Sequence, residues 1–181
     1  MIYVIMGVSG CGKLCLQLGW RLYEGDDLHP PGNVEKMARG EPLTDQDRLP
    51  WLLELHEAIA KERRSSSDAI VVCSALKRRY RQILLHGAQA LTSTSCPEQE
   101  VPPPFLPGVY FLFLRGDYEL IHQRMLARSG HYMRADMLQS QLAALEPPGA
   151  EERAVAIDVR RDIGDIATEV VGLSRRPHPL T

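Results

Sequence analysis

Five apolar residues, Ile2 to Met6, run into Gly7-Val8-Ser9-Gly10-Cys11-Gly12-Lys13, and no other stretch restricts the fold as strongly. An unbroken apolar run closed by a glycine reads as a strand buried on both faces, as in a parallel sheet. The loop satisfies Gly-x-x-x-x-Gly-Lys, in which backbone N–H groups wrap a polyphosphate while the lysine reaches its outer phosphates. Gly7, Gly10 and Gly12 let that backbone lie against oxygens with no Cβ in the way. A Gly-rich turn joining any core strand to any helix is the alternative, and the buried strand in front weighs against it.

Further apolar runs at 69–73 and 109–114 repeat the buried-strand pattern, and Ala154 to Val159 and Arg21 to Glu24 read as two more strands. Helical spacing falls between them. A short helix is expected over 33–39, and a longer one to about Arg64, with Asp47 as N-cap and Pro50 in its first turn. Others follow from Ser74 to about His86, after Asp117 to Ser129, over 134–145, and from an Asp162 cap to about Leu173. The stretch 87–108, rich in proline and polar residues, reads as a long connection. Alternation of strand and helix predicts an α/β fold: one five-stranded parallel sheet with helices on both faces. The 181 residues fit one domain, taken as 1–174 with a loose tail over 175–181.

A formal charge of −2 supplies no field to attract nucleic acid or an anionic membrane, so a phosphate ligand must be held locally. The four cysteines, Cys11, Cys15, Cys73 and Cys96, form no C-x-x-C pair, which suits a reduced, intracellular protein. The apolar N-terminus is too short for a signal peptide or a membrane span, and cytoplasm is the default. The histidines show no zinc-binding spacing.

Glu24-Gly25-Asp26-Asp27 follows the second strand, at the sheet edge where ligands sit in open α/β folds. Acidic residues there hold magnesium, Glu24 being the candidate ligand, or take a proton from a hydroxyl; turn chemistry uses Asp as readily. Lys77 and Arg81 lie four residues apart just past the third strand, and Arg124 and Arg128 share that spacing in a later helix.

Gly7 to Lys13, Gly25-Asp26 with Leu28-His29-Pro30, Asn33 with Glu35-Lys36-Met37, Gly40 to Arg48 with Pro50-Trp51-Leu52, Cys73 to Lys77 with Tyr80-Arg81, Gly130-His131, and Gln141 with Leu145-Glu146-Pro147 together resemble the small P-loop gluconokinases. These are relatives of the shikimate and nucleoside monophosphate kinases. The resemblance implies a three-layer P-loop kinase fold that uses ATP and Mg2+ to phosphorylate D-gluconate at its 6-hydroxyl. It places the nucleotide phosphates at Gly7, Val8, Ser9, Gly10, Cys11, Gly12, Lys13 and Leu14, with Lys13 and Asp26 catalytic and Asp26 accepting the hydroxyl proton. Arg48 and Arg81 would pair with the gluconate carboxylate, and His29, Lys77 and His131 would complete the substrate site. Arg124 and Arg128 would close over the phosphates from a lid spanning about 124–145. The adenine is expected near Arg160 and Arg161. Kinases of this kind often form a homodimer, though no interface is legible here.

One segment departs from the family pattern. Leu14 stands where Ser or Thr would bind magnesium, and Leu14-Cys15-Leu16-Gln17-Leu18 is about six residues shorter than the family's first helix. A hydrocarbon side chain cannot ligate a hard cation. The crossover from Gly7 to Trp20, about 14 residues, barely exceeds the shortest usual length. Two consequences are expected: impaired catalysis, and a poorly covered sheet face beside the first strand. A non-catalytic chain pairing with an active subunit is the alternative, while a kinase for another small acid or a nucleotide is disfavoured by the string from Asp45 to Trp51.

Overall fold

The computed structural model describes residues 1–8, 19–92, 102–127 and 138–174. The expectations at Ser9, Gly10, Cys11, Gly12, Lys13, Leu14, Arg128 and His131 lie outside these residues. So do the shortened crossover, the middle of the lid segment and the tail over 175–181.

Strands β1 (Ile2–Met6), β2 (Arg21–Glu24), β3 (Ala69–Val72), β4 (Val109–Arg115) and β5 (Ala154–Asp158) form one sheet in the order β2-β3-β1-β4-β5. Every pairing is parallel. Glu24 pairs with Val72, Val72 with Ile5, and Ile5 with Leu112, so β2, β3 and β1 end on one line and their following loops share an edge.

Alternate residues of the unbroken apolar strands build two cores. On one face Val4, Met6, Val71 and Phe111 pack against α2 (Asp45–Arg64) and α3 (Arg78–His86), through Trp51, Leu55, Ile59 and Leu84. On the other, Tyr3, Ile5, Ile70 and Leu112 meet α5 (Tyr118–Leu126), α6 (Leu138–Ala144) and α7 (Ile163–Ser174) through Ile121, Leu138, Ile166 and Val170. A 3-10 turn (Gly25–Leu28), α1 (Pro31–Ala38) and α4 (Gln89–Thr92) complete the described elements.

Several expectations change. The N-cap of α2 is Thr44: its hydroxyl accepts from the Asp47 N–H, and the Asp47 carboxylate accepts from the Thr44 N–H in a capping box. Asp47 is thus the third helical residue, and Pro50 lies beyond the first turn, inside the helix. The connection over 87–108 contains the single turn of α4. The sheet face beside β1 is covered after all: Tyr3, Ile5, Ile70 and Val72 are at most 5% exposed. Trp20 stacks on Tyr3 with ring centroids 5.6 Å apart and planes 5° from parallel. Cover thins at the two edge strands, β2, where Leu22 is 41% exposed, and β5, where Ala156 is exposed.

Candidate active site

The loops after the strands gather at the carboxyl edge of the sheet. Gly7 leaves β1 at φ 149°, a conformation that favours glycine, and its N–H donates to the Ser74 carbonyl at 3.2 Å. The loops after β1 and β3 are therefore bonded directly. Gly25 begins the turn after β2, and a Cβ there would lie 2.5 Å from the Val72 carbonyl oxygen. Only glycine lets this turn, which carries Asp26, approach β3 so closely.

Trp51 fixes the turn from above. Its buried Nε1–H donates to the Gly25 carbonyl at 2.7 Å, and its ring stacks on His29 at 4.3 Å between centroids, with 13° between planes. Sequence reading reached Trp51 only as part of a family string; nothing local signals a tryptophan that holds both the Asp26 turn and the His29 ring. Burial pushes the His29 imidazole down to about 4, the Asp26 carboxylate pulling it upward and the Arg48 guanidinium lowering it further. His29 therefore lies within reach of the charges of both Asp26 and Arg48.

A second cluster adjoins them. Lys77 Nζ donates to both Asp45 oxygens, at 2.7 and 2.9 Å, and the Tyr80 hydroxyl donates to the same carboxylate. The Arg48 guanidinium lies 5.9 Å and Lys77 Nζ 5.4 Å from the Tyr80 ring centroid, within cation–π range. The hydrogen bonds from Lys77 and Tyr80 hold Asp45 below the usual carboxylate range. Burial, then the Asp45 contact, pushes the Tyr80 phenol up, so it stays a donor. Two cations against one carboxylate leave the cluster positive, and Arg48 forms no salt bridge among the described residues.

Arg81 stands apart from its expected role. It is 0% exposed, and Nε and Nη2 donate to Glu152 at 2.6 and 2.9 Å. Nη1 reaches the carbonyls of Ala75, Leu76 and Glu146 at 3.2, 3.3 and 2.9 Å. Its donors are thus committed within the fold, and a carboxylate arriving from solvent finds none free. Burial pushes the Glu152 carboxyl upward, but the hydrogen bonds from Arg81 and the Gly149 N–H outweigh this and hold it below its ordinary value. Ala75, at φ 43°, sits in a conformation that costs a non-glycine residue about 1–2 kcal/mol, and Arg81 braces its carbonyl. Arg81 therefore secures the loop between β3 and α3 rather than offering a fork to substrate.

At the far end Arg124 Nη2 donates to the Val159 carbonyl at 3.1 Å, after β5. Arg160 pairs with Asp117, and Arg161 with Glu169 at 2.6 Å. These side chains mark the β4–β5 side of the same edge. A magnesium ion that travels with nucleotide phosphates needs only one or two carboxylates, water and phosphate completing its shell. Among the described residues no three His, Cys, Asp or Glu side chains cluster as a self-sufficient metal site. Glu24, half-buried at the end of β2, fits that less demanding arrangement as a single oxygen donor.

No protein-family model matches the sequence. The chain is 45% identical over 178 residues to the probable gluconokinase of Xenopus tropicalis, spanning 95% of this chain and 92% of that protein. It is 40% identical over 174 residues to the thermosensitive gluconokinase of Escherichia coli strain K12, with 92% of this chain and 83% of that one covered. The chain belongs to the gluconokinase family. A solved gluconokinase from Sinorhizobium meliloti 1021 shares the fold at TM-score 0.72 and 39% identity, covering 96% of this chain and 91% of the other. As a gluconokinase the chain is a phosphotransferase that uses ATP. The gluconokinase kinship takes in the sheet and its flanking helices, since the aligned share reaches 95% of the chain.

Proposed function

We propose that this gluconokinase chain transfers the γ-phosphoryl group of ATP to the 6-hydroxyl of D-gluconate. A bond forms between that oxygen and the γ-phosphorus while the bond to the β-phosphate oxygen breaks. ADP leaves, and Asp26 takes the hydroxyl proton. The observation that carries the acceptor assignment is the positive cluster beside Asp26, in which the Arg48 fork has no carboxylate partner among the described residues. A sugar-acid carboxylate supplies the missing charge, with Lys77 alongside and His29 facing a hydroxyl. Gly7 and Lys13 belong to the loop that holds the phosphates. Arg124 and Arg128 belong to a lid over about 124–145 that closes on them, and His131 within it completes the substrate site.

Glu24, together with the nucleotide, would hold magnesium, which would supply positive charge against the phosphates. The reaction belongs in the cytoplasm; no helix among the described residues is long and apolar enough to cross a membrane. Pairing into a homodimer completes the proposal, and sedimentation equilibrium reads it directly. Similarity over nearly the full chain favours an active kinase over a non-catalytic partner.

The test is ADP release by purified, folded protein with and without D-gluconate, in the parent and in Leu14→Ser. Gluconate-dependent turnover is expected, and restoring the hydroxyl should raise it by at least about tenfold, on the scale of losses at metal sites. Folded protein that shows no gluconate-dependent turnover in either form overturns the assignment.

A further inference from the structure

Asn33 is 7% exposed, at the start of α1, and its side chain stands between two groups that the phosphoryl-transfer scheme leaves unlinked. Nδ2 donates to the Asp47 carbonyl at 2.8 Å and lies 3.4 Å from Nδ1 of His29. A backbone carbonyl only accepts, so the Asp47 contact fixes which end of the Asn33 amide is nitrogen. The second N–H of that nitrogen then faces His29. An imidazole nitrogen opposite an N–H donor must present its lone pair, since a proton on Nδ1 would set two donors against each other. The His29 proton is thereby confined to Nε2, which has no hydrogen-bond partner among the described residues. Stacking on Trp51 fixes the plane in which that N–H points.

We propose that Asn33 is a positioning residue that holds His29 as its neutral Nε2–H tautomer, so that the ring offers one donor and no charge to a hydroxyl of the polyhydroxy acid. This rests on the reading that His29 faces the acceptor. The carboxylate then belongs to Arg48 and Lys77, and the division of labour discriminates for an acid bearing a hydroxyl at that place. Burial, the largest influence on the ring, decides for the neutral form; of the charged groups facing it, Asp26 on the 3-10 turn favours a second proton and Arg48 on α2 opposes one. Behind Asn33 the Lys36–Asp47 ion pair, 2.7 Å, holds the start of α2 to α1.

The experiment reads the tautomer without ligand. Long-range proton–nitrogen correlation spectra of nitrogen-15-labelled protein at neutral pH report the protonated nitrogen of each histidine, with His29 assigned from His29→Gln. His29 is expected to show a protonated Nε2 and a bare Nδ1; a protonated Nδ1 or an imidazolium in the parent overturns the proposal. Asn33→Asp places an acceptor opposite Nδ1 and should move the proton there, raising KM for D-gluconate about fivefold, the worth of one hydrogen bond, with little change in kcat. A switched tautomer with unchanged KM overturns the role given to Asn33. If Asn33→Asp does not fold, the parent spectrum alone decides. Because that spectrum needs no turnover, it stands apart from failure of the gluconate assignment, which the ADP-release assay detects.

Discussion

The two ends of the strand edge are held by different physics. On the β2–β3 side the groups that fix geometry are buried: Trp51 Nε1 on the Gly25 carbonyl, and Arg81 spread over Glu152 and three carbonyls. On the β4–β5 side the charged pairs stand in water: Arg160 is 56% and its partner Asp117 68% exposed. Buried polar contacts are strong and costly to break, whereas exposed pairs are screened and worth little. On the proposed assignment, the end that sets an acceptor hydroxyl against a phosphorus atom is thus the rigid one, and the end given to the nucleotide base is free to adjust.

If the rigid end carries the chemistry, the largest effect lies at Asp26. Asp26→Asn keeps the shape and removes the proton acceptor, so kcat should fall by about 10²–10⁴-fold with the fold intact. Steady-state rates on protein of unchanged circular dichroism check this, and a loss within tenfold would reassign the base. Next comes the brace behind the site. Arg81→Met leaves Glu152 charged and buried, and Glu152→Gln leaves Arg81 in the same position; each should lose about 3–5 kcal/mol in urea unfolding. The pH dependence has a definite sign. Because the folded-state pKa of Glu152 is depressed, its stabilisation is present above the ordinary value of 4.5 and is lost as pH falls through the lower folded value. Glu152→Gln should flatten the stability curve in that window.

Arg81 also shows where sequence reasoning reached its limit. Lys77 and Arg81 are four residues apart, and that spacing implied a shared helical face. The helix begins at Arg78, however, and Lys77 is its extended N-cap at ψ 147°. One side chain therefore turns out to Asp45 while the other turns in to Glu152, 71 residues further along. Nothing local to the sequence announces so distant a partner. Three of the strands were legible for the opposite reason: an unbroken apolar run determines its own burial on both faces, and β1, β3 and β4 needed no partner to be recognised. Thr44 and Asp47 are both good caps, and the choice between them depends on which backbone N–H groups are left unpaired, a property of the formed helix. Asp26, His29 and Arg48 were legible as candidates through their strings. The Trp51 stack and the Asn33 contact that set the state of His29 were not.

A smaller effect separates the two functions of Trp51. Trp51→Phe keeps the ring against His29 but removes the N–H, leaving the buried Gly25 carbonyl without this donor at a cost of about 1–3 kcal/mol. Thermal unfolding should register that loss. The kinetic signature is a rise in KM for D-gluconate without a matching rise for ATP, since only the acceptor side of the edge loosens. Equal changes in both constants would mean that the two ends are mechanically coupled and would weaken the contrast between them.

The smallest effect is expected at Arg160. Its guanidinium pairs with Asp117 and lies 3.9 Å from Asp158, but more than half of it is exposed, and solvent competes for every contact. Arg160→Ala should change unfolding free energy by less than about 1 kcal/mol, and added salt should shrink even that difference. KM for D-gluconate should be untouched, because no described contact links Arg160 to the Asp26 turn or the Asp45 cluster. If the adenine lies beside this residue, KM for ATP rises while stability holds. A stability loss as large as that of Arg81→Met would show that the far end is braced as firmly as the acceptor end, and exposure would no longer explain which half of the edge is free to adjust.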